Sequence, residues 1–213
     1  MARRMGASSG GAMVDRYSRS VRDAEIRSAL HARLIDEHGS GQGTRYIDEL
    51  GLCGTVRVDV AVVNGTLSGY ELKSDRDTLR RLPTQVEYYS KVLDHASLVV
   101  GEEHYERTNG VAHLPPWWGL IVASPRLGQA HLEDVRPAEM NEHLDPYAIA
   151  QLLWRDEALC ELEAREAATG LRSKPRRVLW DRLAELLDLD ELRGIVRGRL
   201  KARATWRRPP THG

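Results

Sequence analysis

The sequence predicts an α/β protein in which a mixed β-sheet is flanked by helices and followed by a C-terminal helical extension. Valine occupies every second position of Val56–Val63, which is the period of a half-buried strand. Ile26, Leu30 and Leu34 recur at intervals of four, as on one face of a helix. The order along the chain is helix, three strands, helix, two strands and then helices, which indicates a mixed α/β core.

The N-terminal part is predicted to contain a disordered tail and one helix. Residues 1–18 are small, polar and basic, and we expect them to be disordered. Ser20 is a candidate N-cap with Asp23 three residues later, and Gly39 can end the helix.

The middle of the chain is predicted to form the sheet. Residues 74–83 are charged and end in Pro83, so they are interpreted as a connection. Thr84 and Glu87 have the spacing of a capping box, which predicts a helix from Thr84 to about Asp94. The predicted strands are Tyr46–Leu50, Val56–Val63, Leu67–Lys73, Ala96–Val100 and Trp118–Ala123.

The C-terminal part is predicted to be helical, over Pro146–Ala168, Arg177–Leu187 and Asp190–Ala204. We therefore divide the chain into a tail at residues 1–18, a core at 19–140 and a basic helical extension at 141–208.

Composition excludes some classes of protein. No apolar run approaches the roughly 20 residues that span a bilayer, and the N-terminus does not have the pattern of a signal peptide. We therefore expect a cytoplasmic protein with no membrane partner. Cys53 and Cys160 have no metal-ligand spacing and are interpreted as reduced thiols.

Charge is distributed unevenly, although the formal net charge is zero. Twelve basic and five acidic residues give the segment Gly170–Arg208 a charge of +7. This pattern fits a polyanionic partner, and Lys174, Arg176 and Arg177 are the predicted nucleic-acid contacts. A solvated helical surface is the alternative.

The hairpin at Asn64-Gly65 decides which side chains share a face. A two-residue loop would place Asp59 across from Tyr70, on the face opposite Glu71. A shift of one residue pairs Val63 with Leu67, Asp59 with Glu71, and Arg57 with Lys73. The other face then collects Val58, Val60, Val62, Tyr70 and Leu72. This register separates polar from apolar side chains, so it predicts a three-residue loop or a bulge.

Two carboxylates opposite each other repel, and a divalent cation between them would relieve the repulsion. Oxygen ligands completed by water suit Mg²⁺ or Mn²⁺. Glu71 and Lys73 share a face because they are two residues apart in a strand. A lysine beside the metal adds positive charge for an anionic transition state or orients a water. These are the parts that metal-assisted phosphodiester hydrolysis requires.

Asp59 followed by Glu71-Leu72-Lys73 after a hairpin, with Gln85 and Tyr89 on the next helix, resembles the PD-(D/E)XK nuclease superfamily. The resemblance covers about Val21–Val100 and implies a restriction-endonuclease-like fold. The proline that usually precedes the aspartate is replaced by Val58. The basic segment 173–177 is similar to the tail of one uncharacterised bacterial branch.

The resemblance also implies roles for individual residues. The metal would be held by Asp59, Glu71 and the Leu72 carbonyl, and Lys73 would serve the attacking water. Gln85 would lie near the site, and Glu49 or Glu25 would add a carboxylate.

The predicted function is that of a metal-dependent nuclease acting in repair, restriction or phage defence. Its substrate is nucleic acid, and DNA is the substrate that we expect. Cutting of both strands by a chain with one site would require a homodimer. The alternatives are a non-catalytic nucleic-acid-binding module that uses the basic C-terminus and an interaction scaffold built on the C-terminal helices.

A simpler interpretation stands beside each candidate residue. Asp59 and Lys73 would also fit a cross-strand ion pair. Glu49, Glu25 and Gln85 would also fit solvated positions. Trp117 and Trp118 would stack on bases or, as we expect, pack in the core.

Overall fold

The computed structural model describes residues 20–41, 43–107 and 114–203. It has an α/β architecture with one six-stranded mixed sheet, as predicted. The predicted disordered tail at residues 1–18 lies outside the described residues. The helices are α1 (Asp23–His38), α2 (Leu82–Val92), α3 (Glu102–Arg107), α4 (Pro146–Ala150), α5 (Arg155–Glu163), α6 (Arg176–Leu186) and α7 (Leu189–Ala202), with a 3₁₀ turn at Leu79–Arg81. The strands are β1 (Arg45–Leu52), β2 (Val56–Val63), β3 (Leu67–Lys73), β4 (His95–Gly101), β5 (Gly119–Arg126) and β6 (Gln129–Arg136).

The strands lie in the sheet in their order along the chain. β1, β2 and β3 form an antiparallel meander, β3, β4 and β5 run parallel, and β6 returns antiparallel to β5. The connection from β3 to the parallel β4 passes through α2, as a parallel pair requires a crossover. The end of β3 and the start of α2 are therefore adjacent in the chain and in space.

Helices cover both faces of the sheet. On one face, α1 buries Ile26, Leu30 and Leu34 against Val60 and Val62, as its four-residue spacing predicts. The other face packs against α2 and the C-terminal helices in a second, larger cluster. The site-bearing strands β2 and β3 lie between these two layers.

The start of α1 differs from the prediction. The helix is capped by Arg22, whose backbone N–H donates to the Glu25 carboxylate at 3.0 Å, so Ser20 is not the N-cap. A carboxylate in the first turn accepts a hydrogen bond from a free N–H and is attracted by the partial positive charge of the helix N-terminus. The predicted end is confirmed, because Gly39 has φ 71° and follows the last helical residue.

The hairpin between β2 and β3 has the predicted register. Val63 pairs with Leu67, which leaves a three-residue loop at 64–66. The Asn64 side chain accepts a hydrogen bond from the Thr66 N–H at 3.0 Å. None of the three loop residues, all described, has the left-handed conformation for which threonine is poorly suited. The loop chemistry therefore comes from an asparagine side chain and not from positive φ.

The pattern of β1 and β2 changes phase at Glu49 and Asp59. Glu49 has φ 57°, an uncommon conformation for a residue with a side chain, and the ladder between β1 and β2 skips the Glu49–Asp59 pair. Past this point Val58 packs with Ala61 on the α2 face, whereas Val60 and Val62 pack on the α1 face. The prediction that Val58 shares a face with Val60 is therefore wrong. Strict alternation fails because the strand is locally distorted.

The start of α2 also differs from the prediction. The helix begins at Leu82, directly after the 3₁₀ turn, with Pro83 in its first turn. Proline is favoured there because its missing N–H needs no partner. Thr84 is consequently inside the helix, and the predicted capping box with Glu87 does not form its N-terminus.

Three further differences from the prediction concern whole elements. β6 and α3 were missed, and the predicted helix Pro146–Ala168 is divided into α4 and α5 by a turn at 151–154. β6 is largely exposed and charged, so it lacks the apolar alternation on which a strand prediction depends.

The C-terminal helices are part of the main core. Leu183 of α6 and Leu192, Val196 and Leu200 of α7 belong to the same buried cluster as strand residues such as Val63. The hydrophobic core therefore crosses the predicted boundary at residue 140. Within the described part of the chain, no helix is both long and apolar enough to cross a bilayer.

Candidate active site

A polar cleft of about 300 Å³ opens where β2, β3 and the start of α2 meet. Among the residues that line it are Asp59, Glu71, Lys73, Gln85 and Glu49. The sequence therefore identified five side chains that the fold brings to one place. The remaining lining residues are Thr55, Val56, Arg57, Arg81 and Thr84.

Glu71 lies at the buried end of the cleft with an exposed fraction of 1%. Its Oε1 accepts from the Lys73 ammonium and from Gln85 Nε2, the latter at 2.5 Å. Its Oε2 contacts the Tyr89 hydroxyl. A buried carboxylate needs such donors, since an unpaired charge away from water is costly. The network fixes the position of the carboxylate at the point where β3 enters the connection to α2.

Asp59 reaches the same cleft because β2 separates from β3 beside it. Backbone pairing ends at Val60 and Tyr70, before the predicted pairs Asp59–Glu71 and Arg57–Lys73. In place of the next ladder bond, the Leu72 N–H donates to Asp59 Oδ2 at 2.8 Å. The aspartate is thus held beside the Glu71-Leu72-Lys73 segment by its own side chain. Distortion, and not regular pairing, assembles the three predicted residues.

Burial and the charge of Glu71 raise the pKa of Asp59 to about 7, although the Leu72 N–H, Lys73 and Arg27 oppose the rise. The cause is physical: a half-buried carboxylate loses hydration and has a second carboxylate near it. A cation between the two would remove the unfavourable interaction. Strongly perturbed carboxyl groups in a cleft are typical of functional sites.

Lys73 is buried with an exposed fraction of 5%, and its ammonium pairs with Glu71. A plain ion pair between Asp59 and Lys73 on a solvated face, the simpler interpretation of the sequence, does not describe this arrangement. The lysine instead contributes its charge inside the cleft, where water screens it less.

Glu49 and Glu25, the two candidates for a further carboxylate, have different positions. Glu49 lines the cleft, and its carboxylate is 3.1 Å from Arg57 Nε and 3.6 Å from an Arg27 nitrogen. Glu25 caps the N-terminus of α1 and is not one of the residues that line the cleft. Glu49 is therefore the carboxylate that remains a candidate.

Gln85 and Tyr89 lie on one face of α2, one turn apart. Gln85 is buried, and its Oε1 has no hydrogen-bond partner in the described part of the protein. The Tyr89 hydroxyl is also 2.9 Å from the Arg57 carbonyl, so it joins α2 to β2. The Tyr89 ring stacks on Trp118, with 5.4 Å between ring centroids. Trp117 and Trp118 are buried, as expected of core residues.

Arg27 is a site residue that sequence reasoning missed. It donates from α1 to the Asp59 carbonyl at 2.7 Å, and another of its nitrogens is 3.8 Å from Asp59 Oδ1. No local pattern identifies its contact with Asp59, because the two residues are 32 positions apart in the chain. It stabilises the distorted part of β2 from the opposite face of the sheet.

The donor set of the cleft fits a hard cation only in part. No group of three or more His, Cys, Asp or Glu side chains in the described ranges is arranged to hold a metal ion. Asp59 and Glu71 supply two carboxylates, and Gln85 Oε1 is an orphaned buried oxygen at the same cleft. Mg²⁺ commonly takes one or two carboxylates and keeps several waters. The cleft therefore offers the two-carboxylate minimum of a hydrated Mg²⁺ or Mn²⁺ site, and among the described residues no third Asp, Glu, His or Cys completes it.

Most of the C-terminal basic residues that the structure describes form ion pairs or hydrogen bonds within the protein. Arg193 contacts Asp94, Arg199 contacts Glu161, and Arg203 contacts Glu157. The three predicted nucleic-acid contacts are different, since Lys174, Arg176 and Arg177 are exposed. Arg176 and Arg177 begin α6, Lys174 lies two residues before it, and none of the three lines the cleft.

Asp59 should make the stability of the metal-free protein depend on pH. Its pKa is higher in the folded protein than the ordinary 3.8, so its contribution to stability is full below about pH 4 and is lost as the pH rises through about 7. Asp59→Asn, which carries no charge, should then be more stable than the wild type at pH 8 by at most about 4 kcal/mol.

The measurement is urea unfolding in EDTA at pH 5 and pH 8, with Asp190→Asn as an exposed control. A difference between Asp59→Asn and wild type that is the same at both pH values would contradict the raised pKa. Saturating Mg²⁺ should reduce the difference at pH 8, because it stabilises only the chain that keeps the carboxylate.

Comparison with known proteins gives one family and one solved structure. The family model for bacteriophage P4 protein cII matches residues 17–208. A protein of unknown function from Silicibacter pomeroyi, SPO1766, is 23% identical, and the match covers 68% of this chain and 94% of that chain with a TM-score of 0.39. The comparison with curated proteins finds no match.

Proposed function

The chain belongs to the bacteriophage P4 protein cII family, and for this member we propose metal-dependent hydrolysis of phosphodiester bonds in nucleic acid. The proposed reaction uses Asp59, Glu71 and Lys73 on a restriction-endonuclease-like core. DNA is the substrate that we propose for this reaction. Membership in the family and resemblance to the nuclease superfamily are separate matters, and the second stays a prediction.

One observation carries the proposal. Asp59, from a strand that has left its ladder, is fixed to the Leu72 N–H at 2.8 Å and so lies beside Glu71 and Lys73 in a single cleft. Two carboxylates and a lysine in such a place are costly for folding, since each must be desolvated. A site that binds a cation and a phosphodiester accounts for the cost.

Each residue has a role in this proposal. Asp59, Glu71 and the Leu72 carbonyl would hold the metal, and Glu49 would supply a further carboxylate through water. The bound metal would polarise the phosphodiester and lower the pKa of a coordinated water. Lys73 would orient the attacking water and stabilise the negative charge that develops on the phosphate.

The surrounding donors keep Glu71 in position. Gln85 Nε2 and the Tyr89 hydroxyl each contact one of its oxygens, so the carboxylate remains fixed if Lys73 turns towards a substrate. The buried Gln85 Oε1 is then free to accept a hydrogen bond from the attacking water. Gln85 would in this way act on the water as well as on Glu71.

The proposal is tested by a cleavage assay on the purified chain. Supercoiled plasmid, linear duplex DNA, single-stranded DNA and RNA are incubated with Mg²⁺, Mn²⁺ or EDTA. We expect nicking or cleavage of DNA that needs the metal and stops in EDTA. If every substrate stays intact with both metals, the nuclease proposal is wrong.

A non-catalytic nucleic-acid-binding module is the second candidate. It is favoured by the contacts of Glu71, since both of its oxygens already accept hydrogen bonds from the protein. Binding that weakens steeply with salt, without cleavage under any metal condition, would support it.

A further inference from the structure

The cleft is acidic at its floor and basic at its mouth. Arg57 and Arg81 both line it, and we call this pair the arginine rim. Asp59 and Glu71 lie at the same cleft. A polyanion that approached the carboxylates would meet these two guanidinium groups first.

Arg57 extends from the distorted part of β2. Its side chain is 67% exposed, and its ion pair with Glu49 engages Nε at 3.1 Å. The Arg57 carbonyl lies 2.9 Å from the Tyr89 hydroxyl, whose single proton is shared between this carbonyl and Glu71. The backbone is thus anchored in the core, while the guanidinium reaches the solvent at the edge of the cleft.

Arg81 ends the 3₁₀ turn and is the N-cap residue of α2, an eleven-residue helix. The first turn of α2 has no acidic residue, and no side-chain cap occupies its N-terminus. The Leu82 N–H is bonded to the Leu79 carbonyl and Pro83 has no N–H, so the charge at this helix start comes from the Arg81 guanidinium. Thr84, in the same first turn, brings a hydroxyl to the cleft.

A second feature of the cleft indicates a ligand. Gln85 is 8% exposed and lines the cleft, and its Oε1 has no partner within the described ranges. Buried oxygens in native proteins are almost always hydrogen-bonded, so this oxygen calls for a partner from outside the chain. A phosphodiester cannot donate to this oxygen, so its partner would be a water or a sugar or base donor of the bound strand, while the phosphate would meet the cations at the mouth.

We propose that the arginine rim binds a backbone phosphate next to the phosphate that reacts, and so positions the nucleic-acid strand across the cleft. The inference rests on the proposed function. Arginine suits this task because its planar fork matches two phosphate oxygens. Phosphate contacts fix the register of a strand without reading its sequence, so this surface binds nucleic acid without base preference.

The rim competes with the C-terminal helices as the main nucleic-acid surface. Arg193, Arg199 and Arg203 are paired with carboxylates inside the protein. Arg176 and Arg177, two of the predicted nucleic-acid contacts, represent this competing surface: both are exposed and neither lines the cleft, although Arg176 also lies over the Trp180 ring at 5.1 Å.

The experiment measures binding of a fluorescein-labelled DNA duplex to the full chain by anisotropy, with Ca²⁺ in place of Mg²⁺, over a series of salt concentrations. We expect Arg57→Ala/Arg81→Ala to weaken binding about tenfold or more and to lower the salt slope by about 2. Arg176→Ala/Arg177→Ala should change the affinity less than about twofold. Single-stranded DNA, as a second probe, should show the same ranking.

A further variant keeps the test clear of folding defects. Arg57→Lys/Arg81→Lys retains both charges and should recover the salt slope, with part of the affinity lost because lysine has no fork. Circular dichroism and the Tm should match wild type for all variants. Equal affinities for wild type and Arg57→Ala/Arg81→Ala would contradict phosphate binding by the arginine rim. A large loss of affinity only in Arg176→Ala/Arg177→Ala would contradict it as well.

Failure of the rim and failure of the nuclease proposal can be told apart. Binding that depends on the rim without any cleavage would support the rim and contradict the nuclease. Metal-dependent cleavage with affinity independent of the rim would do the reverse. Absence of binding to both probes would overturn the rim.

Discussion

Lys73→Ala is expected to reduce the rate of metal-dependent DNA cleavage by about 10³-fold. The physical reason is the position of the ammonium, which is buried in the cleft and in contact with Glu71. Its removal takes away the positive charge that would face the developing charge of the phosphate. Single-turnover cleavage of a duplex in Mg²⁺ measures the effect.

The matched control is Lys91→Ala. Lys91 lies on α2, where it pairs with Glu87 at 2.7 Å at the protein surface. The Lys91→Ala protein should therefore keep the wild-type cleavage rate. Since Lys73→Ala also leaves Glu71 without one donor, its unfolding curve must be recorded, and duplex binding in Ca²⁺ should persist. A Lys73→Ala protein that is folded and cleaves at the wild-type rate would exclude Lys73 from the reaction.

Asp94→Ala is expected to lower the free energy of unfolding by about 3–5 kcal/mol. Asp94 is 1% exposed and accepts from the Leu67 N–H at 2.7 Å. Its Oδ1 is 2.7 Å from Arg193 Nη2, and Arg197 Nη1 is 3.6 Å from Oδ2. The substitution would leave two half-buried guanidinium groups of α7 beside an empty space and one strand N–H without its acceptor.

Urea unfolding near pH 7 measures this loss, and Asp190→Ala is its control. Asp190 pairs with the same Arg193 at 2.6 Å, but its side chain is 87% exposed. Exposed ion pairs contribute little, so we expect a change below about 0.5 kcal/mol. Equal effects of the two substitutions would show that Asp94 does not hold α7 to the sheet.

The Asp94 contacts also bear on the C-terminal helices. Arg193 is 99 residues from Asp94 in the chain, and α7 buries Leu192, Val196 and Leu200 in the main core. Arg193 and Arg197 count toward the positive charge from which a nucleic-acid-binding tail was predicted. In the fold they lie against Asp94 and help to dock α7. Sequence alone counts charges, but only the fold decides which of them face solvent.

Several parts of the fold and the site were predictable because they depend on local patterns. Alternating valines indicated β2, and the separation of polar from apolar faces gave the Val63–Leu67 register. The same reasoning placed Glu71 and Lys73 on one face, whereas the resemblance to the nuclease superfamily placed Gln85 near them. The inferences from pattern used residues close in the chain, where periodicity reports directly on burial.

The sequence by itself therefore determined the α/β class, the Val63–Leu67 register of the hairpin and five of the polar residues in the cleft. Only the tertiary structure decided how Asp59 joins them, because the left-handed Glu49 and the Arg27 contact at the distorted part of β2 depend on packing between distant segments. It also decided which arginines remain exposed at the cleft. These features depend on contacts across the fold, and such contacts leave no period in the chain.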